Sequence, residues 1–156
     1  MKKLLIVILF ICLLSSVSFG QQTILAKFIV EDARKNGQDI TPAYTSQNAY
    51  FIFYTLPNDT TLHFSGVMPI AKTESFGIAY NMQTFITPKT STEYETDHFT
   101  FDWSYANSYD THKGTARIKL LKIGKPNGVA FELTMITESL DVFEYKGYME
   151  GTLYLH

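Results

Sequence analysis

The stretch "ANSYDTHKG" (106–114) sets a carboxylate, Asp110, two residues from an imidazole, His112, the side-chain types that general-base catalysis pairs when the carboxylate orients the ring. Two positions apart in a loop they need not face each other, and no spacing singles out a serine, threonine or cysteine as nucleophile. A hairpin loop is the competing reading. Asn107, Ser108 and Asp110 bond readily to their own backbone in turns, and Gly114 marks the loop's exit. That reading accounts for the stretch, and no catalytic residue is assigned.

Metal chemistry finds as little support. His98 and Asp102 fall four apart on one face of a strand, about 13 Å at roughly 3.3 Å per residue, too far to share an ion without a bulge. Glu95, Asp97 and His98 gather round calcium or zinc only if 93–98 bends, and they carry no spaced ligand motif. An acidic solvated face explains them, so neither a metal nor a cofactor is expected. Lys146, in "VFEYKGYMEGTLYL" (142–155), stands among aromatics, where a desolvated amine can act as a nucleophile. A stem laid over apolar surface with its ammonium in water explains it better, with Gly147 then marking a bulge or bend between the last two strands.

The aromatic residues offer binding rather than reaction. Trp103 is the only tryptophan, and with Phe99, Phe101 and Tyr105 it forms one face of a strand that packs a core with Phe131 and Leu133. Ten tyrosines supply rigid walls that each carry a hydroxyl, suited to a small apolar or amphipathic molecule inside a barrel or at its mouth. His63, between Leu62 and Phe64, points with Thr61 and Ser65 to a polar face or a partly wet cavity. The candidate ligand-binding residues are therefore Tyr50, Tyr54, His63, Tyr80, Trp103 and Tyr105.

Short alternating runs of Tyr, Phe, Thr, Ile and Val, punctuated by Gly, Pro and Asn, must position these groups, and they are strand composition. The predicted strands are 23–32, 49–56, 60–67, 75–86 (with a possible break), 97–107, 114–123, 128–137, 140–148 and 150–156. Hairpin turns are expected at "GKPNGV" (124–129) and around Pro57, Asn58 and Asp59, where residues able to take positive φ separate alternating runs. "ARKNGQDITPAYTSQN" (33–48) is the longest polar region, a loop with at most one helical turn and the best candidate for a flap over one end of the fold.

Side-chain parity assigns the faces. In 128–136, Val129, Phe131, Leu133 and Met135 face one way. In 49–56 both faces are apolar, so that strand is buried on both sides or covered by the flap or by a partner. An all-β fold of eight or nine antiparallel strands follows. It is either an up-and-down barrel, which leaves no exposed edge, or a two-sheet sandwich whose crossings are 33–48 and 86–97. The barrel is similar in outline to the lipocalin-like barrels, although the first strand, "TILAKFIVED", has neither the glycine nor the tryptophan of their glycine-x-tryptophan signature.

The chain begins with Lys2 and Lys3, an apolar run from Leu4 to Leu14 and small residues ending at Gly20, the layout of a bacterial export signal. Residues 1–20 are expected to be a signal peptide and 21–156 a single β domain, periplasmic or extracellular, with no transmembrane segment. Cys12, the one cysteine, leaves with the signal, so no disulfide is expected. Without Lys2 and Lys3 the 13 basic residues fall to 11 against 15 acidic ones, a net charge of -4 that repels a phosphate backbone. Nucleic acid is excluded as a partner. Three functions fit: a secreted binder of a small apolar or amphipathic ligand; a cell-envelope interaction or structural module using an exposed aromatic patch or self-association surface; and, more remotely, a small barrel enzyme using His63, His98 or His112.

Overall fold

The computed structural model describes residues 22–91, 95–106, 111–121 and 129–151, with only the backbone of residue 112. The segment expected to be a signal peptide, the core of the 106–114 loop, residues 124–128 of the expected 124–129 turn and most of the last predicted strand lie outside the described residues.

Among the described residues, nine strands, β1 (Thr23–Lys35), β2 (Gln38–Asp39), β3 (Tyr50–Thr55), β4 (Leu62–Met68), β5 (Thr73–Thr87), β6 (Thr96–Ala106), β7 (Thr111–Leu121), β8 (Val129–Thr137) and β9 (Val142–Gly151), and one short helix, α1 (Thr41–Thr45), follow one another. All the pairings are antiparallel in the order β2-β1-β3-β4-β5-β6-β7-β8-β9, and β1 also pairs with β9. That last ladder closes eight strands into an up-and-down barrel, with β2 as a short appendage of β1. The sandwich is thereby set aside. Thr87 pairs directly with Thr96, so the 86–97 segment turns a hairpin and does not cross between sheets.

An eight-stranded barrel has an interior just wide enough for side chains or one small ligand. Here aromatic residues fill it. Phe28 meets Phe53 and Phe131 edge to face, with centroids 5.4 and 5.1 Å apart, and Phe53 meets Phe101 at 5.9 Å. Ile118, Leu120 and Leu133 complete this packed part of the core. The inward residues of β6 and β8 are those that alternation predicts, with Phe99, Phe101 and Trp103 on one strand and Phe131, Leu133 and Met135 on the other.

β3 is apolar on both faces for two reasons. Phe51 and Phe53 point into the barrel, while Ile52 and Tyr54 are buried on its outside. Lys27, paired with Ile52, lays its ammonium 4.7 Å from the Tyr50 ring centroid, and the His63 ring stacks on Tyr54 at 5.3 Å.

Three local features depart from the expected strands. The break expected within 75–86 is a bulge: pairing with β6 jumps between Tyr80 and Gln83, and Asn81 takes φ 53°. The strand expected at 140–148 and the first residues of that expected at 150–156 belong to the single strand β9, and Gly147 lies inside it with no shift of register against β8. The bulge sits opposite, on β1, where the register shifts between Val30 and Asp32. The polar region 33–48 holds more structure than a loop. Asn36 and Gly37, at φ 51° and 79°, turn the chain so that Gln38 pairs with Lys35.

Asn36 also pins this turn to the far side of the closure. Its amide Nδ2 donates to Asp141 at 2.8 Å and its Oδ1 accepts from the Val142 N–H at 2.8 Å. Replacing it with alanine removes both bonds and places an ordinary residue in the left-handed region. Asn36→Ala is expected to lower stability by about 1–2 kcal/mol in urea unfolding. A loss below about 0.5 kcal/mol would show that the turn is not fastened to β9.

Candidate functional site

The barrel is not solid throughout. At the end where β1 and β8 finish and β3 and β9 begin, the interior holds a half-enclosed cavity of about 150 Å³. Trp103 and Tyr105 on β6, Phe51 on β3, Met135 on β8 and Phe143 and Tyr145 on β9 form much of its wall. Trp103 is its deepest contribution from β6, because Phe101, two residues further in, belongs to the packed core.

Helix α1 caps this end. Asp39 accepts from the Thr41 N–H at 2.8 Å, Thr41 Oγ1 accepts from the Ala33 N–H at 2.9 Å, and the Ile40 N–H donates to the Ala33 carbonyl. Pro42 stands in the first turn, where a missing N–H costs nothing. So fastened, the helix packs Ile40 and Tyr44 against the core and directs Tyr44 into the cavity wall. There the Tyr44 and Tyr145 hydroxyls lie 3.0 Å apart, bonded head to head. Burial is the first cause that raises the pKa of each, well above the ordinary phenol range for Tyr145, so both stay protonated. Tyr105, Thr73, Ser75 and Thr137 add hydroxyls, and much of the remaining described wall is hydrocarbon, ring and thioether. Such a wall can hold a neutral apolar molecule and offer it a hydrogen bond.

Of the six binding residues read from the sequence, the fold brings Trp103 and Tyr105 into this cavity; Tyr50 borders it at the start of β3, but its ring shares the outward parity of Tyr54 and lies under Lys27. Tyr54, His63 and Tyr80 lie on the outside of the barrel. His63 bonds through Nε2 to Asp59 Oδ2 at 2.9 Å, and Tyr80 stands on the outer face of β5 beside Phe76 and Ile78. His63, Phe76, Ile78 and Lys113 border a broad open depression there. Tyr44, Phe51, Phe143 and Tyr145 are wall residues that were not singled out. Tyr44 is one apolar residue in a polar stretch, without periodicity to mark it. Tyr145 was legible as the inward neighbour of Phe143 in an alternating run.

The residues weighed for catalysis and metal binding are dispersed. Asp110 and the side chain of His112 lie outside the described residues. Lys146 points outward from β9, half exposed, with Nζ 3.4 Å from Glu132. His98 is buried flat on the outer face: its ring stacks on Phe85 at 4.4 Å, Nδ1 takes a hydrogen bond from Arg117 at 3.0 Å and Nε2 meets the Thr87 hydroxyl at 3.2 Å. Both ring nitrogens are engaged, which fits the neutral tautomer carrying its proton on Nε2. Among the described residues no group of three or more His, Cys, Asp or Glu could hold a metal ion, and no helix is long and apolar enough to cross a membrane.

Burial first, then the charges of Arg117 and Lys119, hold the His98 pKa below its ordinary 6.5, against a smaller opposing pull from Asp97. The sign of the linkage follows. As pH falls below about 6.5 the unfolded chain takes up this proton before the folded one does, so stability declines until the folded pKa is passed. The melting temperature is expected to fall between pH 7.5 and 5, and His98→Gln is expected to flatten that slope. An unchanged slope in the variant would assign the dependence to other groups.

No family model, curated protein or solved structure matches this chain.

Proposed function

We propose that the protein is an exported, non-enzymatic barrel that binds a small apolar or amphipathic molecule in the cavity beneath α1. The observation that carries this reading is the cavity itself: a hollow of about 150 Å³ in a barrel whose other half is filled. An apolar cavity of comparable size takes up benzene, so the volume suits a single ring or the end of an alkyl chain and is small for a larger metabolite. The protonated tyrosines and the hydrocarbon wall supply burial and orientation, which are a binder's needs. Export rests on the charged start and the apolar run from Leu4 to Leu14.

Trp103 makes the test direct, since the only tryptophan of the chain lines the cavity and its fluorescence reports on that place alone. Native mass spectrometry of protein purified gently from its own host comes first, with any released mass identified. Titration of that compound is then expected to change Trp103 emission saturably at one equivalent. A protein that carries no added mass and shows no saturable change with ring-sized compounds would refute the binding reading.

The envelope-module alternative keeps one specific support. Phe76, Ile78 and Tyr80 project from the outer face of β5, and Phe76 is 55% exposed. β5, and not the buried β3, is therefore the strand on which that reading rests. Concentration-dependent self-association that is lost in Phe76→Ser would favour it.

A further inference from the structure

The chemistry of the cavity wall narrows the ligand class, an inference that rests on the binding reading above. Each phenol carries one donor proton, and the bond between Tyr44 and Tyr145 uses one of the two. The other remains as a donor in an aromatic wall. It cannot easily swing away, because the Tyr145 ring is held edge-on by Phe51 at 4.8 Å and by Tyr44 at 5.3 Å, and lies parallel to Phe143 at 6.4 Å. A buried donor left unmatched is costly, so a guest with an acceptor at that point is favoured over one without.

Charge is disfavoured by the same wall. The described lining carries no Asp, Glu, Lys, Arg or His, and the charged pair beside the mouth, Lys35 with Asp141 at 3.0 Å, is already matched within itself. An ionised guest would lose its hydration without gaining a counter-charge. The tyrosines do not supply one, since both remain protonated.

We propose that the cavity selects uncharged, ring-sized molecules carrying a single hydrogen-bond acceptor, which the spare donor of the Tyr44–Tyr145 pair receives, over ions of the same shape. Three probes of nearly equal size separate the terms: acetophenone, with a neutral carbonyl; α-methylstyrene, with a methylene in its place; and benzoate, with a carboxylate. Isothermal titration of each into the full protein is expected to rank acetophenone about tenfold tighter than α-methylstyrene. Benzoate is expected to bind at least about 100-fold more weakly than acetophenone.

The variants follow from the donor count. Tyr145→Phe leaves the Tyr44 hydroxyl with its whole donor free, so the preference for acetophenone is expected to persist. The double variant Tyr44→Phe with Tyr145→Phe is expected to abolish it although Tyr105, Thr73, Ser75 and Thr137 keep their hydroxyls, while still binding α-methylstyrene, which shows that the barrel is intact. A preference that survives in the double variant would assign the acceptor to one of those hydroxyls and overturn the role of the pair. Equal affinity for acetophenone and α-methylstyrene in the wild type, or tighter binding of benzoate, would overturn the selection and leave the binding reading standing. Failure of all three probes to bind would overturn both.

Discussion

Gly147→Ala is expected to lower the unfolding free energy by about 3–4 kcal/mol, a large part of the 5–15 kcal/mol that holds an ordinary domain. Gly147 lies inside β9 between two partners, Val30 on β1 and Phe131 on β8. A Cβ there would fall on the carbonyl oxygen of Ile29 and lie 3.1 Å from Phe131 Cε1. Neither neighbour has room to retreat. The Ile29 carbonyl belongs to the ladder that closes the barrel, beside the bulge at Glu31, and Phe131 is 1% exposed and packed against Phe28. The φ of Gly147 is not in the left-handed region, so the expected loss is one of contact and not of backbone strain. Lys146→Ala, on the outward face of the same strand, is the control and is expected to change stability by about 0.5 kcal/mol or less. Urea unfolding of the two variants checks this. A Gly147→Ala protein within 1 kcal/mol of wild type would mean that the β1–β9 seam is looser than its geometry shows.

That seam is also what the sequence leaves illegible. Alternation within β6 and β8 survives in the fold because a small barrel buries one face of each strand, so Phe99, Phe101 and Trp103 had to share a side. Local alternation, however, is the same whether the first strand meets the last or packs across from it in a second sheet. Closure depends on bulges and glycines that have little pattern of their own. Ala26, Phe28 and Val30 keep step until Glu31 is inserted, after which Ala33 takes the inward place. Gly114 and Gly147 stand where a neighbouring backbone carbonyl occupies the side-chain position. The Asn36-Gly37 turn, by contrast, was readable from its dipeptide and was hidden only by the polar residues around it.

For the site, parity separates what composition could not. Tyr54 and Tyr80 have the same chemistry as Tyr105, but they fall on outward positions, Tyr54 paired with His63 and Tyr80 with Asp102. Tyr44 and Tyr145 are 101 residues apart and meet only because α1 folds over the hollow end of the closed barrel. A contact of that span follows from closure, which local alternation does not encode.

Trp103→Ala is expected to cost about 3–5 kcal/mol and, in the fraction that remains folded, to enlarge the cavity. Trp103 is 1% exposed, stacks with Tyr105 at 5.3 Å, meets Phe64 edge to face at 6.5 Å and donates from Nε1 to the Thr115 carbonyl at 2.9 Å. Its indole therefore stands between the hollow end of the barrel and the packed end. Truncation removes the ring from the cavity's own wall, so the new void is continuous with the old one. Trp103→Phe keeps most of the filling and loses the hydrogen bond, and its expected cost is about 1–2 kcal/mol. The two variants separate stability from capacity. Phenanthrene, whose three fused rings exceed the wild-type hollow, is expected to raise the melting temperature of Trp103→Ala and to leave those of Trp103→Phe and wild type unchanged, as linkage requires of a ligand that binds only the folded state. Equal stabilisation of all three by phenanthrene would place the binding somewhere other than beneath Trp103, whereas stabilisation of the alanine variant alone would identify this residue as the one that sets the depth of the site.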